Sequence, residues 1–361
     1  MRRRLLVALA LLLLSSSPWE AQQAPREVPC PPKEPNSFCV LRGPLGYHMW
    51  SEIAFSPDGQ WLAVSWGPWQ GREGDPMIWV WRVADGQLAA RLPLSSTQGS
   101  VGFSPDGKLL ASTEGPAVKL REVGTWREIH TLRFLDQVDG PLAFSPTGRW
   151  LAIRACRFEQ DPLCTRPAVI LVDPYKGVEV KRIEKAHQQI MTDLEFLSDD
   201  ILVTGSIDTF IKFWQVPAGR LTRFIIVSDG REFEISPNKK FLAVIGFGSI
   251  LVIFDVVSGQ RLGFIRENFE GISFSPDGQF LAGSGKHFQP DRKLLLKIWR
   301  VKGAVKDWQV ARTIHVPVPD PINHFPGGVS FSPDGKILAI HIWNAAGVEE
   351  SIQLWYVGDL R

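Results

Sequence analysis

"FSPDG", residues 55–59, decides how the chain is read, because it returns. It stands again at 103–107, 274–278 and 331–335; "FSPTG" fills 144–148, and weaker copies, "FLSDD" and "ISPNK", occupy 196–200 and 235–239. Counted from Phe55, Phe103, Phe144, Phe196, Ile235, Phe274 and Phe331, the steps are 48, 41, 52, 39, 39 and 57 residues. A period near 40 with inserts is the mark of repeated supersecondary units that stack on one another. Within the phrase, Pro fixes φ and Gly accepts φ > 0, which makes a tight turn. The aromatic ends the strand before it.

What surrounds each turn is uniform. A short apolar strand follows: "WLAVS" (61–65), "LLAST" (109–113), "WLAIR" (150–154), "ILVTG" (201–205), "FLAVI" (241–245), "FLAGS" (280–284), "ILAIH" (337–341). A β-branched and aromatic strand comes next, such as "IWVWRV" or "LKIWRV", then a polar or Gly-containing turn, then an outer strand such as "EIHTL" or "LGFIR". These segments are bounded by Gly, Pro and Asp, and no amphipathic helix of ordinary length interrupts them. The reading is all-β: a seven-bladed β-propeller of four-stranded antiparallel blades, whose ring protects most sheet edges. The chain stops one strand short in its last repeat, at "IQLWYVGDLR", while "SFCVLRG" (37–43) stands alone before the first repeat. Residues around Phe38–Leu41 are expected to close the last blade.

The pattern "FSPDG…LA…IWVWRV" resembles WD-repeat β-propellers over about residues 38–361. The fourth repeat carries the fullest version, "AHQQIMTDLEFLSDDILVTGSIDTFIKFWQV". His187, Thr204, Asp208 and Trp214 match the His, Ser/Thr, turn Asp and strand Trp that form a hydrogen-bonded network in that family. The other repeats lack the His at that spacing; the third has "VDP", and the second has Leu120-Arg121 at the corresponding place. The resemblance implies a non-catalytic scaffold that binds proteins or peptides across a face of the disc. The turns also resemble those of Tol-system and oligopeptidase propellers; the oligopeptidase type would need an attached catalytic domain, which is not expected here.

Three arginines, Arg2–Arg4, precede the apolar run "LLVALALLLL" and "SSSPWEAQQA". This is the pattern of a secretory signal peptide over residues 1–24, with an uncleaved anchor as the alternative. A leader segment, 25–36, would follow, and the propeller would occupy 37–361. The expected location is secreted or periplasmic. Of four cysteines, Cys30 and Cys39 form one close pair and Cys156 and Cys164 another. In an exported chain these read as two local disulfides, with four free thiols as the alternative. A formal net charge of +2 without long runs of one sign argues against a nucleic-acid partner.

Catalytic signatures are sparse. The seven histidines are scattered, with no "H-E-x-x-H" and no metal-ligand spacing. "GSGKH" (283–287) lacks the first Gly and the final Ser/Thr of a phosphate loop. No catalytic residue, metal or cofactor is expected. The rival reading is a propeller hydrolase or lyase with its site at the central channel. It would gain if two or more titratable side chains converged there. Length variation points elsewhere. Inserts at 66–77, 155–168, 285–294 and 342–350 separate the second and third strands of their blades, and 316–328 leads into the last blade. All five should emerge on one face of the disc. They carry aromatic, Arg and His residues, namely Trp66, Trp69, Arg72, Arg157, Phe158, His287, Phe288, Arg292, Phe325 and Trp343. Loops on a rigid scaffold are the usual place for binding. The expectation is a monomer that grips a protein or peptide there.

Overall fold

The computed structural model describes residues 26–42, 52–66, 75–95, 99–138, 140–157, 161, 164–228, 232–286, 293–344 and 351–360. Seven antiparallel sheets follow one another in chain order, each with four strands from the repeat pattern. The first strands of successive blades touch all the way round, including the last against the first, so they ring the central channel. Blade 1 runs Ile53–Phe55, Trp61–Trp66, Met77–Arg82 and Leu88–Pro93 from the channel outward.

The turn phrase has a part that composition alone did not reveal. Its serine is buried in every blade that has one, at no more than the 4% exposure of Ser332. In blade 1 the Ser56 hydroxyl donates to Asp58 at 2.5 Å and accepts from the Trp61 N–H at 2.9 Å. Ser104, Ser275 and Ser332 repeat the pair of bonds with Asp106, Asp277 and Asp334. Gly59 sits at φ 71°, where a Cβ would be strained. The turns also abut around the ring: a side chain at Gly59 would meet Pro333 of the last blade at 3.8 Å.

Closure follows the expected route. Ser37–Arg42 is the outer strand of blade 7, paired antiparallel to Ser351–Tyr356 with Phe38 opposite Trp355 and Leu41 opposite Ile352. Beyond it, Arg26–Glu27 adds a short parallel fifth strand. Both expected disulfides are present, Cys30–Cys39 and Cys156–Cys164. Core clusters lie between blades, because each sheet buries both faces against its neighbours; one joins Cys39, Leu41 and Leu354 of blade 7 to Leu62 and Trp81 of blade 1.

Candidate functional site

The four network residues of blade 4 are bonded in a chain. The Trp214 indole N–H donates to Thr204 Oγ1 at 2.9 Å, the Thr204 hydroxyl lies 2.8 Å from His187 Nε2, and His187 Nδ1 lies 2.9 Å from an Asp208 oxygen. A neutral imidazole with its hydrogen on Nδ1, accepting the Thr204 hydroxyl at Nε2, puts one proton in each bond. Burial lowers the His187 pKa, which agrees. Asp208 also accepts from the Gln188 and Phe210 N–H groups, and its pKa falls to about 2, hydrogen bonds outweighing the opposing desolvation. Blade 2 replaces this chain with an ionic one. Arg121, paired with Leu110 as Trp214 is with Leu202, donates to Ser112 and Glu114. All three are buried.

At the channel, titratable groups do converge, and their geometry shows what they hold. On each first strand, two positions precede the turn aromatic by three and by one. Asp193 and Glu232, at the first, accept the Phe233 and Ile272 N–H of the next blade at 3.0 and 3.2 Å. Glu195 and Glu234, at the second, accept the Ile235 and Phe274 N–H at 2.9 and 2.7 Å. Donor and acceptor are 40 residues apart in all four. Glu52 does the same for the Val101 N–H and takes the Ser100 hydroxyl as well. Ser273 continues the scheme by accepting from the Phe331 N–H. A first strand pairs on one edge only, so its other edge has backbone donors to satisfy, and a side chain of the preceding blade supplies the acceptor.

These carboxyls hold protons unusually well. Desolvation raises Glu52 to about 7, Asp193 to about 6, Glu195 and Glu232 to about 8, and Glu234 well above the ordinary value. Mutual repulsion adds to this. Glu234 faces Glu195, Glu232 and Asp193; Glu232 faces Asp193, Glu270 and Glu52. The opposing cations are Arg154 near Glu52 and Lys239 near Glu195. A carboxyl whose folded pKa exceeds its unfolded one keeps a proton that the unfolded chain releases. Stability is then full below the ordinary value of 4.5 and falls as pH rises through about 8. His187, with a lowered pKa, acts oppositely, but only below its ordinary 6.5. The melting temperature is therefore expected to fall between pH 6.5 and pH 8.5, and Glu195→Gln and Glu232→Gln should flatten that slope by keeping a neutral acceptor. Equal slopes in all three proteins would remove the carboxyls as its cause.

The binding residues read from the sequence divide into described and undescribed ones. Trp69, Arg72, Phe158, His287, Phe288 and Arg292 lie outside the described residues. Trp66 is no loop residue: it ends the strand Trp61–Trp66, is 8% exposed and packs in the core with Trp79 and Trp81. Strand alternation carries one residue further than the sequence reading allowed. Arg157 is half exposed but engaged, its guanidinium 3.0 Å from Asp136 and 3.3 Å from Glu184. Phe325 and Trp343 also sit on strands, opposite one another in blade 7, and remain partly exposed. Their rings stack at 4.6 Å, and the Lys286 ammonium stands 3.6 Å from the Phe325 centroid. Lys286 donates to the Ile322 and His324 carbonyls of the connection into blade 7. The Gln137–Cys156 bridge similarly joins the connection into blade 3 to the end of that blade's second strand. The two kinds of insert-bearing connection thus meet at one end of the blades. Among the described residues, no group of three His, Cys, Asp or Glu side chains is placed to hold a metal ion.

No family model matches the chain. A DDB1- and CUL4-associated factor 10 of Homo sapiens is 25% identical over 119 residues, 32% of this chain and 19% of that protein. A Periodic tryptophan protein 2 homolog of Caenorhabditis elegans is 20% identical over 316 residues, 69% of this chain and 34% of that protein. The chain thus matches between about a fifth and a third of the length of these curated relatives. Two solved structures superpose over nearly their whole length: U3-55K, with a TM-score of 0.72, 15% identity and coverage of 89% of this chain and 98% of that one, and the RRP9 WD40 repeats, with 0.70, 15%, 88% and 97%. At that identity the likeness shows the fold alone, a seven-bladed β-propeller.

Proposed function

We propose that this propeller is an exported, monomeric, non-catalytic scaffold that grips a protein or peptide partner at the insert-bearing end of its blades. The observation that carries the reading is the Phe325–Trp343 stack with Lys286 against it. It puts partly exposed aromatic surface where the longest connections leave the ring, braced from beneath by the buried Lys286. Trp and other aromatics dominate binding energies out of proportion to their number. The curated relative named for association with DDB1 and CUL4 is itself described by what it associates with. Export rests on the signal-peptide pattern at 1–24 together with the two disulfides.

The experiment is capture of partner from the native secretome by the mature chain and by a Trp69→Ala/Trp343→Ala variant. The variant is expected to keep its melting temperature to within the about 1 kcal/mol of a lost ring stack, and to lose capture. Capture equal to that of the parent would defeat the proposal. The channel carboxyls favour a second reading, since raised pKa values near 7 suit acid–base catalysis. Against it, every one of the five already accepts a backbone N–H of the next blade. A hydrolase activity abolished by Glu232→Gln would favour the second reading.

A further inference from the structure

The junction between blades 4 and 5 is unlike two others around the ring. At the junction of blades 1 and 2, Trp126, from the turn before blade 2's outer strand, stands edge-on to Trp61 at 5.2 Å. At the junction of blades 5 and 6, Trp308 does the same to Phe241 at 5.3 Å. Each ring plugs the rim between two blades. The corresponding turn of blade 5 carries Ser258 and Gly259, and a groove of ≈490 Å³ stands open there. Its floor is the outward continuation of the interblade core. Val244, Val252 and Phe264 lie opposite one another on three successive strands, so they point to the same side, toward blade 4. Ile225 and Val227 of blade 4, packed in one cluster with Val244 and Val252, form the other wall. Arg223 crosses from blade 4, lying over the Phe213 ring and donating to the Val256 carbonyl, and braces the two blades.

The charge at this groove is one-sided. Arg261 and Arg266 both lie over Phe264, at 5.1 and 5.2 Å. Among the described residues, neither guanidinium enters a salt bridge. The nearby Asp255 carboxylate is occupied by the Ser258 N–H and hydroxyl. Phe264 itself is 43% exposed. An apolar trough with two uncompensated cations at its lip selects an occupant with bulky apolar side chains and carboxylates beside them. The lining is aliphatic as much as aromatic, which suits side chains better than stacked bases. The chain's own blade 7 shows that an outer strand can take an added strand, since Arg26–Glu27 lies along Ser37–Phe38.

We propose that the rim groove between blades 4 and 5 is a second docking site, for an extended segment of a partner protein that alternates acidic with large apolar residues. It is separate from the insert-bearing end and does not depend on it. The probe is a short fluorescein-labelled peptide alternating Asp or Glu with Phe or Ile. Its twin carries Lys at the acidic places, and labelled oligouridine serves as the nucleic-acid control. Anisotropy titrations use the mature chain. The acidic peptide is expected to bind, more weakly as salt rises, and its Kd should increase about tenfold or more in Phe264→Glu and in Arg261→Glu. Both residues are exposed, so the variants should keep the parental melting temperature. Trp69→Ala/Trp343→Ala should bind the peptide as the parent does. Equal binding of the two peptides, or full binding by both rim variants, overturns the proposal. So does tighter binding of oligouridine. A concentration-dependent dimer lost in Phe264→Glu would also overturn it, by giving the groove to a second copy of the chain.

Discussion

A chain that begins after residue 42 is expected not to form a closed ring. The strand Ser37–Arg42 contributes Phe38, Cys39 and Leu41, which are 5%, 1% and 2% exposed. Phe38 stacks on Trp355 at 4.6 Å, and Cys39 and Leu41 pack against Leu62 and Trp81 of blade 1. The segment therefore joins the last blade to the first. Burial of Phe38 and Leu41 alone is worth roughly 3–6 kcal/mol at about 1.5–3 kcal/mol each, a large part of the 5–15 kcal/mol that holds a typical domain together. Its loss also bares the edge of Ser351–Tyr356, a ready template for aggregation. Size-exclusion chromatography and thermal unfolding of the truncated chain should show aggregates or a broad, early transition. Adding a synthetic peptide of residues 26–42 should restore the parental profile. A soluble truncated protein with the parental melting temperature would mean that closure does not use this strand.

Trp81→Ala is expected to be the costliest single substitution among the tryptophans discussed. Trp81 lies on Met77–Arg82, is 5% exposed, pairs across the sheet with Leu62 and lies 6.0 Å from Trp79 in a stacked arrangement. Its cluster spans the junction that the N-terminal strand closes. Truncating a buried Trp leaves a cavity and costs about 3–5 kcal/mol. In a domain of this size that is a fall in melting temperature on the order of 10 °C. The contrast is with Trp343→Ala, which removes one stack at a partly exposed site. Equal melting temperatures for the two variants would deny the division between packing and surface tryptophans.

The repeat was legible because each turn is a local object: Pro, Asp and Gly within five residues fix the chain reversal. The closing strand was legible because a four-strand unit leaves a remainder, and "SFCVLRG" was the only piece that fitted it. Both disulfides followed from short spacings. The buried serine was missed, although it stands in six of the seven turns, because a hydroxyl that donates to Asp58 and accepts from Trp61 is a three-residue arrangement without any periodic signal. The carboxylate ladder did have a signal, acids at the same two places in "TDLEF" and "REFEI". Its purpose emerges only when the next blade's edge stands beside it. Trp66 was misplaced since a strand's last residue and a loop's first look alike in sequence. The rim groove is a property of what neighbouring turns lack, and only comparison of blade junctions exposes it.

The central claim, binding at the insert-bearing end, is tested most directly by a photo-crosslinking map of the exported chain in its native setting. A photoreactive side chain is placed singly at Trp69, Phe325 and Trp343, and at Lys108 and Lys240, which follow turns at the opposite end of the blades. The account predicts a discrete covalent adduct with one protein species from the first three positions and none from the last two. Adducts confined to Lys108 and Lys240, or equal yields at all five, would contradict it.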